Sequence, residues 1–192
     1  MELGCRTIQG FDGFADPNSL CISSECFSQK LLGERINLAI TYDLAICLEA
    51  AEHVEEKFSD LIVENLTNAS KVILFSAALP GQGGTNHVNE QPPDFWQKKF
   101  KDYRYTQLDI IRPIIWDEPA IAWWYKQNIF LYVHEENIEL FTKLNNSYSL
   151  AQKHIVHPEC LSSKIIELNI DNASLTNLSK ALLKRIKKKL IR

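Results

Sequence analysis

Two carboxylates and an imidazole follow directly after a short apolar run and are spaced to act together. Glu49, Glu52 and His53 come immediately after residues 44–48, which read Leu-Ala-Ile-Cys-Leu. The spacing i, i+3 and i+4 places all three on one face of a helix that begins at or just after Glu49. Two carboxylates held close together repel each other unless a metal ion, an arginine or a shared proton lies between them. The sequence therefore predicts a polar site at the carboxyl end of a strand, where open α/β sheets bind ligands.

A second segment suited to chemistry is residues 77–91, which are rich in glycine and side-chain amides. They follow the apolar run 71–76 and contain three glycines, a proline and His87. This composition predicts a loop at the same sheet edge as Glu49, and loops there carry function more often than they merely connect elements. The His87 imidazole suits a general base near neutral pH. A structural alternative is that its ring hydrogen-bonds the loop backbone and holds the loop in shape.

Apolar runs alternate with helical patterns along the first 135 residues, which is typical of βαβ organisation and of the α/β class. We expect a mostly parallel sheet with helices on both faces. The sequence predicts strands at residues 6–11, 42–48, 71–76, 106–114 and 128–133. It predicts helices at residues 54–67, 93–103 and 119–127.

Composition narrows the function classes. The chain has 192 residues, 45% of them hydrophobic, which suffices for one α/β domain with an appendage and argues against disorder of the whole. A net charge of −3 argues against a protein that coats nucleic acid through its overall positive charge, and no specific nucleic-acid partner is expected. The five cysteines form no CxxC pair, which predicts reduced thiols in a cytoplasmic protein. No apolar window reaches the ~18 residues of a membrane span.

The last part of the chain has a different pattern. Residues 136–173 are interpreted as a linker or irregular extension, with the apolar run 165–170 as a surface strand or linker, after a first domain at residues 1–135. Residues 174–192 predict a basic amphipathic helix with one apolar stripe. The stripe consists of Leu175, Leu178, Leu182, Ile186 and Leu190. Such a helix suits an anionic membrane surface or a protein partner, and packing on its own domain is an equal alternative.

Three blocks together resemble a known family. They read YDLAICLEAAEH at residues 42–53, LFSAALPGQGGTNHVNEQ at 74–91 and WWYKQN at 123–128. In these blocks the chain resembles the class I S-adenosylmethionine (SAM)-dependent methyltransferases, specifically a bacterial and viral branch associated with sugar-handling enzymes. The resemblance covers roughly residues 1–135. It implies a Rossmann-like sheet, SAM as cofactor, and a sugar, glycan or other small polar molecule as methyl acceptor.

The resemblance also implies a cofactor pocket. Residues 6–13 match the family's second strand, so Asp12, with Gly10 before it, is the acidic residue that hydrogen-bonds the ribose, and Glu49 lines the pocket. The implied Rossmann-like sheet is incomplete, because the family's first strand, its Gly-rich turn and its first helix find no match. That strand lies between the second and fourth strands in the family, so we expect two open backbone edges.

The resemblance assigns the remaining roles near the loop. His87 is the predicted catalytic base, and the predicted acceptor-binding residues are Gln82, Gly83, Gly84 and Trp123. The set Glu49, Glu52, His53 and His87 resembles the Glu-x-x-Glu-His plus distant His ligands of small-RNA 2′-O-methyltransferases and some quinone-biosynthesis O-methyltransferases. It implies Mg²⁺, Mn²⁺ or Zn²⁺, which would polarise the acceptor oxygen. Alternatively, the Glu-His pair only caps a helix and packs the cofactor pocket.

Two functions from different classes therefore stand as expectations. The first is a SAM-dependent O-methyltransferase that acts on a sugar or other small polar acceptor, with or without a divalent metal. The alternative is a catalytically inactive methyltransferase-like remnant or an accessory binding subunit, which keeps the fold and binds a partner.

Overall fold

The computed structural model describes residues 4–141 and 155–168 and five residues of the last segment, Ser174, Thr176, Ser179, Lys180 and Leu183. Internal contacts divide the chain into two units, Met1–His154 and Ile155–Arg192. Most of the predicted basic helix 174–192, including all five residues of its apolar stripe and most of its basic residues, lies outside the described residues, so its membrane or partner contacts stay a prediction. Among the described helices, none has the length and apolar content needed to cross a bilayer.

The first unit contains six strands and four of the five α-helices named here, within the described ranges. The strands are β1 (Gly10–Asp12), β2 (Phe27–Gln29), β3 (Ala45–Leu48), β4 (Val72–Ser76), β5 (Tyr105–Leu108) and β6 (Phe130–His134). The helices are α1 (Ser59–Ala69), α2 (Pro93–Asp102), α3 (Arg112–Ile115) and α4 (Trp123–Asn128), and α5 (Pro158–Leu168) belongs to the second unit. Residues 77–91 form neither helix nor strand, which confirms the predicted loop.

Four strands form one sheet in the order β3-β4-β6-β5, and β1 pairs separately with β2. This confirms the α/β class. The pairing differs from a mostly parallel sheet, because β1–β2 and β3–β4 are parallel whereas β6 runs antiparallel to both β4 and β5. The reason is the connection between β5 and β6: α3 and α4 return the chain to the same end of the sheet instead of crossing over it.

One face of the sheet carries the main core. Helices α1 and α2 bury Ile62, Val63, Trp96 and Phe100 against alternate residues of the strands. The Phe100 and Tyr132 rings are stacked with centroids 4.0 Å apart, and Phe75 meets both edge-on. Because α2 follows the long loop, this packing also fixes where the loop ends.

The opposite face is covered at β6 but open at β3. Leu131 and Val133 pack with Ile138 and Phe141, so β6 is buried on both sides. On β3, Ala45 and Cys47 face the main core, whereas Ile46 and Leu44, just before the strand, are 61% and 44% exposed. Among the described residues β3 is hydrogen-bonded only to β4, which leaves its other edge free.

Two predicted strands were wrong in part. The strand predicted at 106–114 ends at Leu108, because Arg112 and Pro113 begin α3 and proline favours the first helical turn. The apolar run at 165–170 was interpreted as a strand or linker, but its residues up to 168 belong to α5. There the His157 ring accepts the Glu159 N–H and caps the helix. Strand β2 was not among the predicted strands.

We predict that Phe100→Ala lowers the free energy of unfolding by about 3–5 kcal/mol, because a fully buried ring is removed from a close-packed aromatic cluster. Urea denaturation measures the change. Ile114→Ala is the control, since Ile114 is 62% exposed and should shift the value by about 0.5 kcal/mol or less. Equal effects of the two substitutions would contradict the assigned core.

Candidate functional site

The carboxyl end of β3 turns sharply at Glu49. Its backbone N–H donates to the carbonyl and to the hydroxyl of Ser76, at 3.0 and 3.1 Å. Glu49 has φ of 48°, in the left-handed region that non-glycine residues seldom adopt. The helix predicted to begin there is therefore absent, and the chain makes a single 3-10 turn at Ala51–His53. A strained residue held by two hydrogen bonds at a strand end is a common property of functional sites.

The Glu49 carboxylate is bound by two side-chain amides from distant parts of the chain. Gln82 of the loop donates to it at 3.0 Å, and Asn128 at the end of α4 donates to its two oxygens at 3.1 and 3.3 Å. The Asn128 amide also donates to the side-chain oxygen Oε1 of Gln82 at 2.8 Å. These three residues form the amide cluster, which joins β3, the loop and α4. Asn128 was not predicted as a site residue, although it begins the predicted strand 128–133 at the relevant sheet edge.

A buried arginine fixes the end of α4. Arg112 donates to the carbonyl of Gln127 at 3.1 Å and forms an ion pair with Asp109, and its guanidinium lies 4.3 Å from the Phe130 ring centroid. Asn128 is thereby held in place beside Glu49. Trp123, predicted to bind the acceptor, lies at the other end of α4, half-buried, with its ring edge-on to Trp124.

Glu52 is fully buried, and neither of its carboxylate oxygens has a hydrogen-bond partner among the described residues. The pKa of Glu52 is raised to about 7, chiefly by burial and also by the negative charge of Glu49, while the backbone at Glu52 and Ala78 acts in the opposite direction. The adjacent Cys47 thiol is also buried, and burial together with the Glu52 and Glu49 charges raises its pKa to about 12. Cys47 is therefore a neutral thiol. Within the described part of the chain, Glu52 is a buried carboxyl group without the hydrogen-bond partner that buried carboxyl groups normally have.

Two imidazoles lie beside Glu52. One ligand atom from each of Glu52, His53 and His87 lies within 4.8 Å of the others, and the two imidazole ring centroids are 4.9 Å apart. One carboxylate and two imidazoles are donors that suit Zn²⁺ and Mn²⁺ better than Mg²⁺, which prefers oxygen ligands. Together with the unpartnered Glu52 carboxylate, this three-ligand set fits a divalent cation. Glu49 was predicted as a fourth ligand, but its carboxylate is engaged in the amide cluster.

The loop reaches this position through contacts with two glutamates. The backbone carbonyl of Glu52 accepts the N–H groups of Val88 and Asn89 at 2.9 and 3.0 Å. The Glu90 carboxylate accepts the N–H groups of Gly81 and Gly83, both at 2.7 Å, which closes the loop on itself. The two glycines have φ of 85° and 71°, a conformation that suits residues without a Cβ.

His87 is bound to the same Glu90 carboxylate. Its Nδ1 lies 3.0 Å from Glu90 Oε1. Burial alone would raise the pKa of Glu90, but the hydrogen bonds from His87, Gly81 and Gly83 outweigh burial and lower it. The His87 ring therefore bonds a side chain of the loop and not the loop backbone that the structural alternative expected. Glu90 was not predicted, and its sequence signal is an acidic residue three positions after a histidine in a loop of glycines and amides.

The predicted cofactor residues lie on two sheets. Asp12 ends β1, is exposed, and uses Oδ1 to accept the N–H groups of Phe14 and Ala15, both at 2.7 Å. Gly10 begins β1, where a Cβ would lie 3.0 Å from Ile22 Cδ1. Glu49 follows β3 of the larger sheet, and in the described ranges no strand ladder joins the two sheets. The side chains of Asp12 and Glu49 therefore belong to separate parts of the unit.

Comparison with models of known protein families and with curated protein sequences gives no match. Among solved structures, the chain is similar to magnesium protoporphyrin IX methyltransferase from Synechocystis PCC 6803 with bound SAM. The identity is 16% and the TM-score 0.40, over 62% of this chain and 50% of that one. The chain thus matches half the length of that protein, and a likeness at this level says nothing about activity.

We predict that Glu52→Gln stabilises the protein in chelator-containing buffer, by a margin that grows between pH 5 and pH 8. A raised folded-state pKa makes the wild type lose stability as the pH rises from the unfolded value of about 4.5 through about 7, and glutamine removes this loss. Thermal unfolding at several pH values measures the margin.

The matched control for this experiment is Glu136→Gln. The Glu136 carboxyl is exposed, and its hydrogen bond from Lys71 lowers its pKa, so the margin should not grow over the same pH range. A pH-independent margin for Glu52→Gln would contradict the assigned state of the buried carboxyl.

Proposed function

We propose that this chain is a SAM-dependent methyltransferase domain that methylates a hydroxyl group of a sugar or other small polar acceptor. The observation that carries the proposal is the convergence of the amide cluster, the glycine-rich loop and two imidazoles at the carboxyl ends of the parallel strands β3 and β4. Ligands of open α/β sheets bind at this edge. The resemblance of residues 42–53 and 74–91 to the methyltransferase blocks supports the same activity.

The chain's own residues position the acceptor and remove its proton. SAM, when bound, supplies a methyl group on an electrophilic sulfonium. His87 is held by Glu90 at Nδ1, so Nε2 is the nitrogen that can take the proton of the acceptor hydroxyl. Gly83 is exposed and has no side chain, which lets an acceptor approach the loop backbone closely, whereas at Gly84 the His87 ring occupies the place of a side chain. Gln82 contributes by fixing the loop to Glu49.

The cofactor is proposed to bind between the two sheets. Asp12 keeps Oδ2 for the ribose, because the described hydrogen bonds use Oδ1 only. Glu49 presents negative charge at the end of β3, which favours a sulfonium nearby. The open edge of β3 and the separate β1–β2 pair are consistent with a further strand between them, as the resemblance implies.

A divalent cation is the finer part of the proposal. Glu52, His53 and His87 would hold it, and the bound cation would lower the pKa of the acceptor hydroxyl. His87 cannot then be the base, because Nε2 is the one ring nitrogen that Glu90 leaves free. Metal activation and direct deprotonation by His87 are therefore alternatives, and dependence of the activity on a cation distinguishes them.

The free edge of β3 favours a second candidate function, an accessory subunit without catalytic activity. Leu44 and Ile46 present apolar surface beside an edge of β3 that pairs with no strand in the described ranges, which is a template for pairing with a strand of another chain. This function requires no cofactor, so a SAM titration separates it from the first.

We predict that SAM binds with a saturable heat in isothermal titration calorimetry, and that Glu49→Gln weakens the affinity at least about tenfold by removing the negative charge. Glu139→Gln is a control, because Glu139 is exposed and lies after the opposite end of the sheet. Absence of binding, both by this chain and by a version extended at its amino terminus with a strand and a Gly-rich turn, would contradict the methyltransferase and favour the accessory subunit.

We predict that His87→Gln lowers kcat for methyl transfer about 100-fold or more, with the affinity for SAM unchanged, because a base or metal ligand is lost. The assay follows radiolabelled methyl from SAM to a panel of sugars and polyols, with chelator or with added Mn²⁺ or Zn²⁺. Activity that survives chelation identifies His87 as the base, and activity that needs the cation identifies it as a ligand.

The control for this assay is His134→Gln. His134 ends β6, which runs antiparallel to β4, so it lies at the end of the sheet opposite to the site. An equal loss of activity for both histidine variants would contradict a direct role of His87.

A further inference from the structure

We infer that Glu90 is a positioning residue that holds His87 in the tautomer protonated at Nδ1, with the lone pair on Nε2. This inference deepens the proposed function, because its catalytic meaning depends on that function. Its geometric basis does not, since it follows from contacts within the loop.

The Glu90 carboxylate has a fixed orientation. Oε2 accepts the Gly81 N–H and Oε1 accepts the Gly83 N–H, so each oxygen is held by a separate backbone donor. The side chain of Glu90 is 19% exposed. An ionised carboxylate accepts hydrogen bonds and donates none. A carboxylate held in this way cannot rotate away from its neighbours without losing two short hydrogen bonds.

This orientation decides which nitrogen of His87 carries the proton. Oε1 of Glu90 lies 3.0 Å from Nδ1 of His87. Because the carboxylate only accepts, Nδ1 must be the donor, and in the neutral imidazole the second nitrogen then has no proton. Nε2 therefore carries the lone pair that either a base or a metal ligand requires. A carboxylate on the far nitrogen is also the usual way in which proteins orient a metal-binding histidine.

Gly84 holds the ring without covering that lone pair. A Cβ added to Gly84 would lie 2.3 Å from Nε2, 2.5 Å from Cε1 and 2.8 Å from Cδ2 of His87. An atom that approached along the lone pair, in the ring plane, would be much farther from the two carbons than from Nε2. The nearly equal distances place Gly84 against the face of the ring, so the lone-pair direction in the ring plane does not point at Gly84.

Nε2 is the atom of His87 that these contacts leave available to act as a base or as a metal ligand. The ring is held at Nδ1 by Glu90, and its face lies against the backbone of Gly84. The His53 ring stands edge-on to it, at an interplanar angle of 87°. Glu90 thus does not need to touch a substrate or cation itself, since it acts through the His87 ring.

The test is the tautomer of His87, read from nitrogen chemical shifts of ¹⁵N-histidine-labelled protein at mildly alkaline pH in chelator. We predict the Nδ1–H form in the wild type, whereas free neutral histidine favours the Nε2–H form. Glu90→Gln should shift His87 towards the free-histidine ratio, because an amide can accept through only one atom. The wild type in the Nε2–H form, or a folded Glu90→Gln variant with an unchanged tautomer, would overturn the inference.

Asn89→Ala is the matched control. Asn89 is buried next to Glu90 and anchors the loop to the Ser59 hydroxyl at 3.1 Å, with no contact to the His87 ring among its described hydrogen bonds. This variant should loosen the loop and keep the Nδ1–H tautomer. Loss of the tautomer in Asn89→Ala to the same extent as in Glu90→Gln would assign Glu90 a merely structural role.

Kinetics separate this inference from the proposed function. In the methyl-transfer assay Glu90→Gln should lower kcat about 10- to 100-fold and leave the affinity for SAM unchanged. If no acceptor is methylated by the wild type but the tautomer responds as predicted, the methyltransferase fails and the positioning role stands. If methyl transfer occurs and Glu90→Gln leaves kcat unchanged, the positioning role fails.

Discussion

The parallel pairing of β3 with β4 is the constraint on which the rest of the site depends. It places Leu48 opposite Ser76. Both strands therefore end at the same end of the sheet, where Glu49 lies within hydrogen-bond distance of Ser76. Glu49 can adopt its left-handed backbone there because Ser76 holds its N–H twice. A shift of one residue in this register would move Glu49 and the loop apart and would bury Ile46 in place of Cys47.

The site is costly to the fold, and the aromatic core offsets the cost. A left-handed glutamate and a buried carboxyl without a hydrogen-bond partner each destabilise the folded state by about 1–3 kcal/mol. The stacked rings of Phe100 and Tyr132 lie on the face of the sheet that also buries Cys47, two residues before Glu49. The aromatic core therefore supplies the stability, and the polar groups at the end of β3 do not need to stabilise the fold themselves.

The sequence predicts the elements better than the contacts between them. Apolar periodicity locates β4, α2 and the loop within a few residues, because burial on one face is a local property of the pattern. The direction of β6 is not local, since it depends on whether α3 and α4 cross the sheet. Gly10 and Asp12 lie on β1, and their role in cofactor binding stays a prediction.

The sequence spacing places Glu49, Glu52 and His53 in one group, whereas the structure separates Glu49 from the other two. The i, i+3, i+4 rule requires a helix, and the left-handed φ of Glu49 breaks it, so Glu52 and His53 stay together while Glu49 joins Gln82 and Asn128. Glu90 has no periodic signal, because its partners are backbone N–H groups of glycines that have no side chains to recognise. Contacts of this kind become visible only once the loop is folded.

The open edge of β3 has a consequence for handling the protein. Unpaired strand backbone beside exposed Leu44 and Ile46 can stack with the same segment of other molecules as the first step of cross-β growth. The protein would then aggregate more as its concentration rises, even though the core itself remains folded. A strand that paired with this edge would also prevent such stacking.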